Sequence, residues 1–156
     1  MEEILDVYDK NGNYVGVKPK SFCYSKNPGV YYKLVWIWII NSKGEILLQK
    51  RAATKKHFPN KWDHPVGGHV KSGEKSVDAC VREIGEELGL NIKSEDLKYI
   101  GEFLEQIYWH IGQVYFLIKD VDITQLKINK KEVAEVRWFS LQEFKDVLFS
   151  DNFGPF

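Results

Sequence analysis

The sequence predicts an α+β fold, a mixed β-sheet sandwiched between helices in an α/β/α arrangement. Three observations carry this expectation. Residues 31–40, YYKLVWIWII, form an almost unbroken β-branched and aromatic run, the pattern of a central strand buried on both faces. Shorter alternating segments flank it, separated by turn residues. One strong internal helix pattern follows, and a second closes the chain. Strands broken up by a few helices are the mark of a mixed, layered architecture.

Taken in order, residues 4–8 and 14–17 alternate around Asp9-Lys10-Asn11-Gly12-Asn13, and Asn-Gly is a strong hairpin signal. An N-terminal hairpin over about residues 1–20 is expected, followed by an irregular stretch to Gly29, broken by Pro19 and Asn27-Pro28-Gly29. After the central strand, Asn41-Ser42-Lys43-Gly44 makes a turn and residues 45–51 return. Residues 52–63, AATKKHFPNKWD, read as a polar, aromatic loop. Its Lys55, Lys56 and Lys61, with Arg51 just before it, are placed to meet phosphates, or to remain solvated surface charge. Trp62 is placed either to stack on a base or to plug the loop. Residues 65–69 make a short strand, 97–108 and 113–118 an antiparallel pair, and 133–139 another strand. Residues 141–149 form a helix with Ser140 as N-cap and Glu143 at the capping-box position.

The 156 residues suit one domain, 1–156, with a core that needs no staples. Lys plus Arg equals Asp plus Glu, so the net charge is zero. A neutral surface argues against long nucleic acid as partner. A small diphosphate stays possible, and the chain is expected to be a monomer or homodimer. No stretch approaches a membrane span, and Met1-Glu2-Glu3 is wrong for a signal peptide. Cys23 and Cys80 lack metal-ligand spacing, so two free thiols in a cytoplasmic protein are expected.

The chemistry concentrates in residues 68–90, GHVKSGEKSVDACVREIGEELGL. On a helix, Glu83, Glu86 and Glu87 share an arc of about 100°, while Val77, Val81, Ile84 and Leu88 cluster within about 60° on nearly the opposite side. Ser76 is the expected N-cap, and Gly89 the left-handed C-cap. The expectation is an apolar face pinned to a core and an open face of carboxylates. Such a face is either solvated or neutralised by a cation. Clustered hard oxygen donors suit Mg²⁺, with Mn²⁺ possible.

This stretch resembles the Nudix box, G-x5-E-x7-R-E-U-x-E-E-x-G-U, with U a bulky aliphatic. Gly68, Glu74, Arg82, Glu83, Ile84, Glu86, Glu87, Gly89 and Leu90 fill every defined position. The resemblance implies a Nudix fold whose box helix lines a cleft. It implies a metal-dependent hydrolase that cleaves a diphosphate linkage in a nucleoside diphosphate derivative. It assigns Glu83, Glu86 and Glu87 to metal binding, with one able to act as base, and adds the Gly67 carbonyl as a further ligand. Arg82 then orients the glutamates and Glu74 anchors the loop. Family members with an extra glutamate from a later loop point to Glu132 here as a catalytic candidate, with Glu135 and Glu105 behind it. Arg51 and Trp62 are the candidate substrate contacts.

A second resemblance narrows the branch. DVYDKNGNYVG, LLQKR and WDHPVGGH look like Nudix proteins related to isopentenyl-diphosphate isomerase. Isomerases carry a cysteine where this chain has Gly67, and a histidine ahead of the long strand where it has Tyr31-Tyr32. His69 matches an isomerase metal-ligand position. The alternatives are therefore an isomerase-like enzyme and a non-catalytic nucleotide-binding module, although the box is intact.

Overall fold

The computed structural model describes residues 1–154. Its centre is β3 (Tyr31–Ile40). A parallel partner, β8 (His110–Ile118), runs along the whole of one side. Along the other side lie three shorter neighbours, all antiparallel: β1 (Ile4–Tyr8), then β6 (Val66–His69), then the start of β4 (Ile46–Arg51). The hairpin partner β2 (Tyr14–Pro19) extends the sheet beyond β1. The two-residue β5 (Trp62–Asp63) and β9 (Val133–Phe139) both pair with β4, and β7 (Leu97–Glu105) pairs with β8.

A helix covers each face. On one, α2 (Ser76–Leu88) packs Ala79, Cys80, Ile84 and Leu88 against Val35, Ile37 and Ile39, all fully buried. On the other, α3 (Leu141–Leu148) sets Phe144 edge-on to Trp38 and covers Leu48, Phe139 and Phe153. A third small core seals Leu5, Val7, Cys23 and Tyr32 under the N-terminal hairpin. Both cysteines are free and buried. No helix of the described residues is long and apolar enough to cross a membrane.

The hairpin closes as Asn-Gly predicts. Gly12 takes φ 82°, and the Asp9 carboxylate accepts from Asn11 N, Asn13 N and Asn13 Nδ2. The α3 cap also follows the sequence: Ser140 Oγ accepts from Glu143 N at 3.2 Å, and Glu143 accepts from Ser140 N at 2.8 Å.

Three expectations change. The stretch after the hairpin contains a one-turn helix, α1 (Lys20–Cys23), tied back to the hairpin through Lys20 N–H to Glu3 O. Ser76 does not cap α2; Lys75 is the N-cap, without a side-chain bond, and its carbonyl accepts from Asp78 and Ala79. Finally, β3 is not equally buried on its two faces. Val35, Ile37 and Ile39 are sealed beneath α2, whereas Leu34 and Trp36 are half-buried because their face forms the wall of a cleft.

Candidate active site

The cleft encloses about 440 Å³ between α2, β3, β4 and β6. Glu83, Glu86 and Glu87 of α2, and Gly67, Gly68 and His69 of β6, all line it. So do Gln49 and Arg51 of β4, Asp63 and His64, and Lys55, Asn129 and Glu132 from two loops. From the N-terminal segment come Glu3, Lys20 and Tyr24.

The carboxylates are not on an open face. Glu83 and Glu87 are buried and only Glu86 is exposed, because α2 sinks far enough into the sheet to carry the edge of its acidic arc down with it. Burial, reinforced by the charge of Glu83, pushes the Glu87 carboxyl up to about 8. Burial raises Glu83 as well, although Arg82 pulls the other way. Glu87 leans on Gln49, whose amide donates to it at 3.1 Å, while Gln49 Oε1 is buried without a partner among the described residues.

Arg82 holds the arrangement from behind. Its Nε and Nη2 grip both oxygens of Glu74 at 2.8 and 2.9 Å, and Nη2 also donates to the carbonyl of His69 at 2.9 Å. Nη1 donates to Glu83 at 2.6 Å and lies 3.5 Å from Glu86. Burial alone would raise Glu74, but the bonds from Arg82 and from the Lys71 backbone hold it below the usual carboxylate range. Glu74 therefore stays ionised and fixes Arg82, which in turn fixes the glutamates. Gly68 of β6 explains how the helix comes so close: a Cβ there would lie 2.1 Å from the Glu83 carboxyl.

The donor set fits a hard divalent cation. Two carboxylates disfavoured by burial and an unpartnered amide oxygen meet here, and a cation would relieve all three. Among the described residues, no three His, Cys, Asp or Glu side chains already converge as a metal shell, since Glu83 is turned to Arg82 and Glu87 to Gln49.

The other candidates divide. Arg51 lines the cleft, but its Nη1 donates to Asp63 at 3.1 Å and its Nε to the carbonyl of His57. Glu132 lines it too and is ion-paired with Lys55. Trp62 does not line it. Its ring packs edge-on against Phe139 at 4.8 Å beneath Arg137, so it is the plug of the loop rather than a platform in the cleft. His69 is held by Tyr24 Oη at 2.8 Å and stacked on Tyr32, and burial lowers it to about 4, which keeps it neutral.

Sequence reasoning missed Gln49, the Asp63–His64 pair, Tyr24 and Asn129. The strand alternation that places Arg51 at the cleft also places Gln49 there, two residues away. Nothing in the sequence marks Asn129 or Tyr24, which arrive from distant loops.

A family model described as NUDIX domain matches residues 31–155. An uncharacterized Nudix hydrolase of Listeria monocytogenes is 34% identical over 133 residues, covering 83% of this chain and 75% of that protein. A Photorhabdus laumondii protein named isopentenyl-diphosphate Delta-isomerase 2 is 30% identical over 152 residues, covering 95% and 83%. Among solved structures, DR0079 from Deinococcus radiodurans superposes with a TM-score of 0.79 at 23% identity, covering 98% of this chain and 93% of that one. A MutT protein from Methanosarcina mazei gives 0.63 at 26%, covering 79% and 84%. The chain belongs to the NUDIX domain family and is an enzyme of the Nudix hydrolase type.

Proposed function

We propose that the protein is a divalent-metal-dependent hydrolase of a diphosphate linkage in a nucleoside diphosphate derivative. The observation that carries this reading is the pair of buried carboxylates, Glu83 and Glu87, braced from behind by Arg82 and Glu74. Burying two like charges side by side costs free energy unless a cation joins them. Glu83, Glu86 and Glu87, with the Gly67 carbonyl, would hold Mg²⁺ or Mn²⁺. When bound, such an ion clamps phosphate oxygens and lowers the pKa of water. The chain's own residues do the rest. Arg51 and Lys55 face the cleft where phosphate charge must be neutralised. Glu132, ion-paired with Lys55 at the cleft, would orient or deprotonate the attacking water.

The polarity of the cleft separates this reading from isoprenoid chemistry. Among the described residues, Leu34 and Trp36 are the only aliphatic or indole side chains that line it, little apolar wall for a prenyl tail. Gly67 offers no thiol where an isomerase carries its cysteine. The test is a phosphate-release screen over nucleoside diphosphate derivatives and isopentenyl diphosphate, with Mg²⁺ and with excess EDTA. Metal-dependent cleavage of a nucleotide, without dimethylallyl diphosphate, is expected. Isomerisation with every nucleotide untouched would overturn the proposal.

A further inference from the structure

Gly67 and Gly68 are adjacent on β6 and point to opposite faces of the sheet. Each missing side chain leaves room for another residue. At Gly68 that residue is Glu83. At Gly67 it is His64: a Cβ there would lie 2.2 Å from His64 Nε2. A side chain at position 67 and the His64 ring cannot both occupy this wall of the cleft.

The ring is fixed on its other sides. His64 Nδ1 lies 2.6 Å from Asp63 Oδ1, and His64 N donates to the same oxygen at 2.8 Å. Asp63 Oδ2 accepts from Arg51, and the carboxyl stays below its usual range because His64 and Arg51 outweigh the cost of its burial. The imidazole stacks on Trp36, centroids 5.2 Å apart and planes inclined by 24°. With Nδ1 engaged by that carboxylate, Nε2 is the ring nitrogen left to meet a ligand. It has no hydrogen bond to any described residue, and it is not among the buried unpartnered atoms, so the cleft can reach it.

Its position bounds what it can meet. Consecutive Cα atoms are 3.8 Å apart, so His64 Nε2 and the Glu83 carboxyl, each against its own glycine, are separated by no more than about 11 Å. Both groups line the same cleft, so a substrate whose phosphorus is held at the carboxylates can extend a neighbouring group toward Nε2.

We infer that His64 is a specificity-determining residue whose Nε2 shares a hydrogen bond with a hydroxyl of the sugar attached to the diphosphate, and that Gly67 is glycine partly to make room for it. This rests on the reading of the site as a nucleoside diphosphate hydrolase. It assigns Asp63 the role of fixing the ring. It also gives the chain a reason to favour hydroxylated substrates over alkyl diphosphates.

The test is a two-by-two binding experiment in Mg²⁺, measured by calorimetry: ADP and its dideoxyribose analogue against the wild type and His64→Phe. The phenylalanine keeps the stack on Trp36 and removes the ring nitrogen. Wild type should bind ADP about five- to tenfold more tightly than the analogue, the worth of one hydrogen bond, and His64→Phe should bind both alike. His64→Gln, which restores a hydrogen-bonding group, should recover part of the preference, which a purely structural role would not do. Equal discrimination by wild type and His64→Phe overturns the inference even where nucleotide hydrolysis is intact. Failure of the wild type to bind or cleave any nucleotide overturns the hydrolase reading, and this inference with it. If His64→Phe does not fold, the result for His64→Gln against the analogue decides.

Discussion

Glu87 carries a burden that its helix could not tolerate without purpose. Its carboxyl, pushed up to about 8, binds a proton at neutral pH in the absence of a cation. Glu87→Gln should therefore fold as stably as wild type or better at pH 8, yet lose on the order of 10²-fold or more in kcat. Thermal melts and initial rates on the same preparations check both halves, and wild-type turnover by this variant would remove Glu87 from the site. His110 tests the opposite sign. It is buried with both ring nitrogens unpartnered among the described residues, enclosed by Tyr32, Trp36, Phe103 and Tyr108. Burial lowers its pKa, against a weaker pull from Glu105. Below about pH 6.5 the unfolded chain takes up a proton that the folded chain refuses. The contribution is thus complete above that pH and is lost as pH falls through the folded value. His110→Leu should flatten the acidic limb and add about 1 kcal/mol near pH 5.5, read from urea unfolding at pH 5.5 and 7.5.

At the scale of elements, α2 is the piece on which site and scaffold meet, and its two faces should separate by mutation. Ile84 is fully buried in the main core. Ile84→Ala should cost roughly 2–5 kcal/mol and leave kcat in the folded fraction nearly unchanged. Because Lys75 caps α2 without a side-chain bond, Lys75→Asp should stabilise the protein by about 1 kcal/mol, while Ser140→Ala at the start of α3 should cost about as much. The same helices show what a sequence discloses. Ser140 and Glu143 announce their cap because a capping box is local and reciprocal. Ser76 misleads because a serine beside a helix start looks the same one residue inside it. The wheel found which side of α2 is apolar, but the burial of Glu83 and Glu87 depends on how deep the helix sits. That depth is set by Gly68 on another strand, which no period in the helix records.

For the molecule as a whole, the metal is the deciding variable. Turnover should vanish in excess EDTA and return with Mg²⁺. Mg²⁺ should also raise the melting temperature of wild type but not of Glu87→Gln, because a ligand for the folded state stabilises it by mass action. Undiminished hydrolysis in EDTA would end the metal-dependent reading. The order of strands and the box helix were legible along the chain because each rests on local pattern. The cleft was only half legible. Glu83, Glu86 and Glu87 announce themselves by spacing and Gly67 by its match to the family, whereas Tyr24 and Asn129 reach it through pairings between segments far apart in sequence.

One such pairing governs how the molecule must be made. The central strand, β3, takes its full-length parallel partner from β8, which follows roughly 80 residues later: Tyr32 lies opposite His110 and Ile40 opposite Ile118. On the ribosome, β3 emerges first and waits. At synthesis rates of about 5–20 residues per second, that wait lasts roughly 4–16 s. Throughout it, the most apolar segment of the chain has an open edge. A nascent chain in this condition suits a holdase, and Lys33 is the one charged residue within the strand to discourage pairing with a neighbour on the same message.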